Sequence, residues 1–462
     1  MKQYSIIALL LAIFTLNSCG VYKKYQSQTE TPKDLFGTGD TIVALQSEGS
    51  IAAISWRDYF KDPILQALID SALVHNTNMQ AARIAVEQAQ ASLKAAKLAY
   101  IPSLSLAPQA SVTSTLDTKG NLSDAVYSYN VPLQLSWNIG IAGSVTVNKR
   151  KAKAILMQAQ ASQEATQANL IATVAQYYYQ LLLLDKQLEI LVQTDSLWNL
   201  SLETERAMWE NGKIYSTAVN QMESSTISVK MQIIDTHHSI CTMEGNLCKL
   251  LCITPQSIKR GKWGSYELPE RYTTGVPGVL LQNRPDIKVA DQALAEAFYT
   301  TALARASFYP SFSLSGLLGW TNNGGVIPDP GALLMQAAAS LVQPVFSCGK
   351  LTANLKIAKL NQQGKLNSYV QTVINAGNQV NACLADCQVA QKKDVLYKRQ
   401  VEVLRDAYTG THELMNSGKA SYLEVLTAQE SLLTAQLNEA TNLYNGSISL
   451  ISLYIALGGA TK

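Results

Sequence analysis

The sequence predicts a mainly α-helical chain with membrane-crossing β-strands, organised as a duplicated protomer of a trimer. Three features of the 462 residues support this fold class. The two halves of the chain repeat each other, and one segment alternates between apolar and polar residues. Two proline-free stretches also carry an apolar residue about every 3.5 positions, which is typical of packed helices.

The internal repeat sets the order of the elements. Pro102–Leu106 (PSLSL) returns as Pro310–Leu314 (PSFSL), 208 positions later. Asn211–Lys213 returns as Ser417–Lys419 at an offset of 206. A two-residue difference is easily absorbed in a loop. Each half is therefore predicted to run helix, strand, strand, long helix, turn and helix.

The strand prediction is clearest for residues 127–138, where odd positions are apolar or aromatic and even positions are polar or proline. Residues 103–112 and 333–346 are predicted as weaker partner strands. A tilted strand of about a dozen residues can cross a bilayer, and small barrels need roughly eight strands. Since one chain supplies four strands, three chains would close a trimeric 12-stranded β-barrel with its apolar face toward lipid.

Two very long helices are permitted because no proline occurs between Pro132 and Pro255 or after Pro344. A proline inside a helix costs about 3 kcal/mol. A helix over residues 144–211 would be about 100 Å long. That length suits a structure that crosses the periplasm.

The same stretches carry an apolar seam, defined as positions spaced alternately four and three residues apart. From Leu170 to Leu202 only Asp195 interrupts this seam. The positions 206 residues later form a second seam from Ala376 to Tyr408. This spacing predicts coiled-coil packing of both long helices.

The N-terminus has the features of a secretion signal followed by a lipid attachment site. Lys2 precedes an apolar run, Ile6–Leu16, that is too short to span a bilayer. Cys19 then stands at the cleavage position, which predicts lipidation of its thiol as in bacterial lipoproteins. By similarity to enterobacterial sorting rules, Gly20 permits transfer to the outer membrane. An ordinary signal peptide with a chance cysteine is the alternative.

The composition argues against several functions. Only 15% of the residues are charged and the net charge is +3, which does not suggest nucleic-acid binding. The four histidines lack the neighbours of a catalytic triad or a zinc protease, and no Gly-rich loop follows a strand to hold phosphate. The sequence therefore predicts no enzyme activity and no cofactor.

Six cysteines besides Cys19 could suggest metal or redox chemistry. One helical face carries a set of possible ligands: His237, Cys241, Cys248 and Cys252. Cys383 and Cys387, however, fall on the second seam, and buried thiols behave as small apolar side chains. We expect the cysteines to pack in the core and predict no metal site. A metal site and disulfides are the alternatives.

Four motifs occur in order along the duplicated chain: WRDYFKDPIL at Trp56–Leu65, LLQNRPDI at Leu280–Ile287, QPVFSCG at Gln343–Gly349, and SGK at Ser417–Lys419 followed by Tyr422 and Leu423. Together they resemble the TolC family of outer membrane factors, specifically its lipoprotein branch of the OprM/NodT type. The resemblance covers nearly the whole mature chain.

The resemblance implies a homotrimer whose barrel opens to the exterior and continues as a long α-helical tunnel into the periplasm. The tunnel tip would meet a periplasmic adaptor (membrane fusion) protein and, through it, an inner-membrane pump of the RND type. The implied domain plan has a signal peptide at 1–18, a lipidated segment at 19–62 and a first repeat at 63–252. An equatorial segment follows at 253–283 and a second repeat at 284–462.

The resemblance also places adaptor contacts at the two turns that reverse the long helices. The residues at these turns are Gly212, Lys213, Gly418 and Lys419. Glycine there would take the left-handed conformation that ends a helix. A helix stop flanked by solvated lysines is the alternative.

The pore constriction is implied just beyond the second turn. Leu423 falls at the family's aliphatic position, and three copies of Glu424 would form a ring of carboxylates. Thr427 stands where relatives of the lipoprotein branch often carry Asp, which departs from the usual acidic pattern. A helix whose carboxylate is merely solvated is the alternative.

The leading functional hypothesis is the channel of an RND-type efflux system, a passive duct that carries small toxic molecules from pump and adaptor to the exterior. A second hypothesis keeps the duct but assigns it to ABC-driven type I protein secretion. A third, of a different class, is a lipid-anchored coiled-coil spacer of the cell envelope without a pore.

Overall fold

The computed structural model describes residues 23–27, 54–114, 120, 124–140, 143–264, 283–322 and 332–460. Cys19, the predicted signal peptide and residues 280–282 of the LLQNRPDI motif lie outside these ranges. The described residues form two compact units. The strand unit comprises residues 23–27, 85–160 and 289–370, and the helical unit comprises residues 54–84, 161–288 and 371–460, each within the described ranges.

The described elements follow the predicted order in both halves. The first half contains α1 (Trp56–Tyr59), α2 (Pro63–His75), α3 (Thr77–Leu98), β1 (Ser103–Leu106), β2 (Gln109–Thr113), β3 (Val126–Ile139), α4 (Ser144–Glu210) and α5 (Ser216–Leu251). The second half contains α6 (Pro285–Ala306), β4 (Ser311–Thr321), β5 (Ala332–Val342), α7 (Lys350–Asn416) and α8 (Tyr422–Ala456).

The two long helices confirm the prediction from the missing prolines and the repeat. Helices α4 and α7 each contain 67 residues. Both their first and their last residues are related by the offset of 206. The shorter helices that follow have 36 and 35 residues. The duplication therefore fixes helix length as well as sequence motifs.

The predicted seams are buried within the helical unit. Val174, Leu181 and Leu191 of the first seam are almost fully shielded from solvent, and so are Ala376 and Val380 of the second. In one cluster, seam residues of α4 pack against α5 and α8: Leu191, Trp198, Leu202, Val219, Met222, Val229, Leu426 and Leu433. The helix pairs are thus held by side-chain packing at coiled-coil spacing.

The strands form one antiparallel sheet in which β3 pairs with β4 and β4 with β5, while β1 and β2 both pair with β3. The register places apolar residues of adjacent strands side by side, in rows such as Leu106, Leu133, Leu318 and Met335. The opposite face carries serine pairs, including Ser111 with Ser128 and Ser313 with Ser340. The period of two predicted for residues 127–138 therefore extends across the sheet.

Two strand boundaries differ from the prediction. Residues 103–112 form two short strands instead of one. The Ala107 N–H still donates to the Pro132 carbonyl at 3.2 Å, but Pro108 has no N–H with which to continue the ladder. The predicted strand at 333–346 ends at Val342, just before the Gln343–Pro344 step. Proline removes a backbone donor from the ladder there as well.

The opening helical region is also more broken than predicted. Asp62 caps α2 by accepting a hydrogen bond from the backbone N–H of Ile64 at 2.8 Å. Asn76 separates α2 from α3 by accepting from the backbone N–H of Asn78 at 2.9 Å, while its Nδ2 donates to the Leu250 carbonyl at 2.9 Å. The Asn76 side chain thus starts α3 without a proline by satisfying free backbone donors, whereas α2 begins with Pro63 after its Asp62 cap.

The RPDI segment has a structural role in the helical unit. Arg284 is buried and binds both carboxylate oxygens of Asp286, at 3.0 and 2.7 Å. Its guanidinium also donates to the Ala456 carbonyl at 2.7 Å and to Gln379 Oε1 at 2.8 Å. Arg284 thereby joins the C-terminus of α8 to α7. A cation is favourable at the C-terminus of a helix.

Among the described residues, no helix combines the length and the apolar character needed to cross a membrane.

The β3–β4 pairing generates a first prediction. Gly319 faces Pro132, and a Cβ at Gly319 would clash with the Val131 carbonyl oxygen. A Cβ at Gly316 would approach no atom of the described residues more closely than 3.7 Å. We expect Gly319→Val to prevent correct assembly of the sheet and Gly316→Ala to be tolerated. The measurement is the amount of heat-resistant oligomer in outer-membrane fractions. Equal amounts in the two variants would show that close approach at Gly319 is not required.

Candidate functional site

The two reversal turns, residues 211–215 and 417–421, share one backbone geometry. Gly212 and Gly418 adopt φ of +69° and +73°. In the first turn, Gly212 N–H donates to the Trp209 carbonyl at 2.8 Å and Lys213 N–H donates to the Met208 carbonyl at 2.9 Å. This pair of bonds is the Schellman motif, which satisfies the last carbonyls of a helix.

The second turn repeats the motif 206 residues later. Gly418 N–H donates to the Met415 carbonyl at 2.9 Å and Lys419 N–H donates to the Leu414 carbonyl at 2.8 Å. Both glycines therefore end the long helices in the conformation expected from the sequence. A Cβ on either glycine would meet no atom of the described residues within 4 Å. Glycine is therefore required at these positions for its left-handed backbone conformation and not for lack of space.

The predicted contact residues at these turns are exposed. Lys213 and Lys419 both lie at the surface of the helical unit. The first turn also presents Tyr215, whose side chain is 86% exposed. Tyrosine is one of the residue types enriched at protein–protein interfaces. The adaptor-contact role of these residues remains a prediction.

The structure brings the three predicted constriction residues together on one face of α8. Leu423 is 56% exposed, and Glu424 and Thr427 are exposed beside it. The Thr427 hydroxyl donates to the Leu423 carbonyl one turn earlier at 2.7 Å. The next residues, Val425 and Leu426, are buried. One face of this turn is thus fixed in the core while the other carries a leucine and a carboxylate outward.

Glu424 has a second, structural contribution. It lies in the first turn of α8, where a carboxylate interacts favourably with the helix N-terminus by about 0.3–1 kcal/mol. A test of its predicted role at the constriction should therefore remove the charge while keeping the shape of the side chain.

A buried carboxyl stands next to this turn. Glu205 of α4 is only 4% exposed, and burial raises its pKa to about 8, although the nearby Tyr422 hydroxyl acts to lower it. Within the described chain, neither Glu205 Oε2 nor the Tyr422 hydroxyl has a partner of ordinary hydrogen-bond geometry. A poorly partnered buried carboxyl is favoured in its neutral form. Glu205 and Tyr422 therefore connect the end of α4 to the start of α8 through a titratable contact.

Two of these residues escaped the sequence analysis for different reasons. Glu205 is the next step of the first seam, three residues beyond Leu202, so extending the seam by one position would have predicted its burial. Tyr215 has no such signal, because its counterpart at the offset of 206 is Ser421. Only the position of the turn shows that Tyr215 is exposed.

The expectation that all six cysteines pack in the core is correct for only part of the set. Cys248, Cys383 and Cys387 are buried in apolar clusters, and burial raises the pKa of Cys387 to about 12. The expectation is wrong for three exposed cysteines: Cys241, Cys252 and Cys348. Cys252 and Cys348 lie at helix boundaries with left-handed φ of 54° and 47°, and Cys241 lies on the outer face of α5.

The described residues contain no group of three or more His, Cys, Asp or Glu side chains placed to hold a metal ion. The six cysteines are all present as free thiols. The chemical features of this region are an apolar side chain and carboxyl groups held by packed helices. The region combines a rigid helical scaffold, two open turns, and an exposed leucine and carboxylate fixed beside a buried acid.

Known proteins resemble both halves of the chain. A sequence profile described as "Outer membrane efflux protein" matches residues 68–252 and 276–459. The cation efflux system protein CusC of Escherichia coli (strain K12) is 27% identical over 410 residues, covering 87% of this chain and 88% of CusC. The toluene efflux pump outer membrane protein TtgC of Pseudomonas putida is 26% identical over 470 residues, covering 98% and 95%.

Solved structures share the fold. A structure of the outer-membrane channel OprN superposes with a TM-score of 0.86 at 21% identity, covering 96% of this chain and all of that chain. A structure of CusC gives a TM-score of 0.83 at 24% identity, with the same coverage of both chains. These likenesses confirm the fold class expected from the sequence.

The burial of Glu205 generates a prediction about pH. The folded-state pKa of about 8 exceeds the ordinary value of 4.5. The contribution of the neutral carboxyl to the free energy of unfolding is thus fully present below pH 4.5 and is lost as pH rises to about 8. We expect hydrogen exchange around residues 200–225 to accelerate between pH 5 and 8, beyond the intrinsic pH effect, by roughly tenfold per pH unit.

The matched variants are Glu205→Gln, which should abolish the excess pH dependence, and Glu203→Gln at an exposed neighbouring position, which should keep it. Hydrogen-exchange mass spectrometry of the intact protein measures both. The same pH profile in wild type and Glu205→Gln would contradict the role of the buried carboxyl.

Proposed function

The chain belongs to the outer membrane efflux protein family, and we propose from this membership that it is the outer-membrane channel of a tripartite efflux system. It provides a passive path for small toxic molecules and catalyses no reaction. Energy comes from an inner-membrane pump, and the chain contributes only the passage to the exterior.

The observation that carries this proposal is the exposed apolar face of the sheet in the strand unit. Leu106, Leu333 and Met335 lie on that face, and the Met335 side chain is 81% exposed. A monomeric soluble protein rarely leaves such a continuous apolar surface in water. Contact with lipid acyl chains is the environment in which this face is stable.

The sheet edges support a closed oligomer. Among the described strands, β5 pairs only with β4, while β1 and β2 pair only with β3. Unpaired strand edges cannot be exposed to hydrocarbon because their N–H and C=O groups would lack partners. Because β1 and β2 follow one another along β3 and count as one interrupted strand, each copy supplies four strands. Pairing of these edges among three copies closes a 12-stranded barrel, and lipid on Cys19 gives each copy a second hold on the outer membrane.

Residues at the reversal turns are assigned to partner contact, and residues in the first turns of α8 are assigned to gating. Gly212, Lys213, Gly418 and Lys419 contact a periplasmic adaptor, and an RND-type pump is reached through it. Leu423, Glu424 and Thr427 line the constriction. The exposure of all these residues and their place at the end of the helical unit support the assignment. The first and second repeats keep the boundaries 63–252 and 284–462.

The cargo is a small molecule. CusC is named for cation efflux and TtgC for toluene efflux, and the two are almost equally similar to this chain. The family match and the names of these relatives support efflux over type I protein secretion, and a cellular test separates the two.

The first cellular prediction concerns Gly418. A gene-deletion strain should retain more organic dye or copper than its parent, and wild-type protein should restore export. Gly418→Asp should not restore export, because a side chain there strains the left-handed turn by roughly 1 kcal/mol and fills the open contact space. The control is Gly410→Asp, also open on α7 but without positive φ, which should restore export at equal expression.

The outcomes distinguish the cargo. Retention of dye alone indicates organic substrates, and retention of copper alone indicates cations. Loss of a specific secreted protein with unchanged retention of both would contradict small-molecule efflux and favour protein secretion.

A prediction about the constriction is tested on purified protein in planar bilayers. Glu424→Gln should lower cation selectivity and weaken block by multivalent cations, since three carboxylates attract cations. Leu423→Ser should raise conductance by removing an apolar narrowing. Glu413→Gln, an exposed carboxylate on α7 outside the predicted constriction, should change neither. Unchanged selectivity and block in Glu424→Gln would remove Glu424 from the constriction.

A further inference from the structure

A short N-terminal segment is fixed on the strand unit although most of its neighbouring residues lie outside the described ranges. The Tyr25 hydroxyl donates to Asp291 Oδ1 at 2.8 Å, and the Ser27 hydroxyl donates to the same oxygen at 2.8 Å. The Tyr25 backbone N–H donates to the Tyr299 hydroxyl at 3.3 Å. Asp291 is buried. These contacts hold the chain on α6, so the adjacent lysines have a defined place.

Beside this segment is a cavity of about 510 Å³. Four of its lining residues are cations: Lys23, Lys24, Arg305 and Lys359. None of the described residues that line it is acidic. Within the described chain, none of the four cations takes part in an ion pair. Converging cations without counter-ions favour binding of an anion.

The uncharged residues that line the cavity indicate which class of anion it would bind. Gln26, Gln362 and Gln363 supply amide donors, and the apolar wall consists of Leu294, Phe298 and Leu366. A site with cationic and amide groups beside an apolar wall suits an amphiphile with an anionic head. A simple inorganic anion would leave the apolar wall without a partner.

The cavity lies close in sequence to the ends of the membrane strands. Arg305 precedes the first residue of β4, Ser311, by six positions, and Lys359 lies nine positions after Lys350, where α7 begins. Nine helical residues correspond to roughly 14 Å. Arg305, Ser311, Lys350 and Lys359 all belong to the strand unit. Arg305 and Lys359 therefore lie on the helix segments that adjoin β4 and β5 in the chain.

We propose that the cavity formed by Lys23, Lys24, Arg305 and Lys359 binds the phosphate of an anionic phospholipid from the inner leaflet of the outer membrane. The inference rests on the outer-membrane location and is independent of cargo and gating. The bound lipid fixes the N-terminal segment against α6 and α7. Basic pockets near membrane segments recognise anionic headgroups in this way.

The test uses the full-length oligomer reconstituted in vesicles of phosphatidylglycerol and phosphatidylcholine, extracted in mild detergent and examined by native mass spectrometry. Wild type should retain phosphatidylglycerol in preference to phosphatidylcholine. The double variant Arg305→Gln/Lys359→Gln should retain roughly tenfold less phosphatidylglycerol, as expected for the loss of two cationic contacts. The control Lys356→Gln/Lys365→Gln removes the same charge from α7 outside the cavity and should match wild type.

Equal retention in the two double variants would overturn the site, and so would retention of phosphatidylcholine at the level of phosphatidylglycerol. Complete displacement of the lipid by millimolar inorganic phosphate would overturn the lipid assignment in favour of a free-phosphate site. If Arg305→Gln/Lys359→Gln does not assemble, Lys359→Gln compared with Lys356→Gln gives the same comparison with one charge removed. Variants at the constriction or at the reversal turns that abolish efflux should retain phosphatidylglycerol as wild type does, so failure of the proposed function and failure of the lipid site are distinguishable.

Discussion

The arrangement of the helical unit depends on the burial of one apolar seam on each long helix. A helix of 67 residues cannot be stabilised by propensity alone and needs a packed partner along its length. In the cluster around Trp198, residues of α4, α5 and α8 meet in a single packed layer. Because seam packing fixes register, the chain must reverse at a defined level in both halves. Gly212 and Gly418 meet this requirement with identical Schellman motifs.

Much of this could be predicted from the sequence, and the reason is periodicity. Burial that repeats every two or every 3.5 residues leaves a pattern in a single sequence, as at residues 127–138 and from Leu170 to Leu202. Single contacts leave none. The bond from Arg284 to the Ala456 carbonyl joins residues 172 positions apart, and the exposure of Cys241 depends on which face of α5 the other helices cover. Asn76 interrupts a helix by capping the next one, although asparagine also occurs inside helices.

Departures from the duplication mark the positions where the two halves have different tasks. The offset of 206 equates Glu205 with Thr411, Tyr215 with Ser421, and Ser216 with Tyr422. A buried acid, an exposed aromatic side chain and the tyrosine beside the predicted constriction therefore each occur in one half only. Because the long helices of the two halves are equal in length, packing alone would allow the same residues at equivalent positions in both halves. The asymmetry is concentrated around the turns, where contact with other molecules and control of the passage are proposed.

The contact between Glu205 and Tyr422 limits how the constriction could move. Tyr422 is the first residue of α8, and Leu423 and Glu424 follow it directly, while Val425 and Leu426 are buried against the rest of the helical unit. Displacing Leu423 outward by itself would pull these apolar side chains into water at about 25 cal/mol per Å². It would also expose the Glu205 carboxyl to solvent. Moving α8 together with the end of α4 keeps both contacts. Concerted movement of the two helix ends therefore costs less than movement of α8 alone.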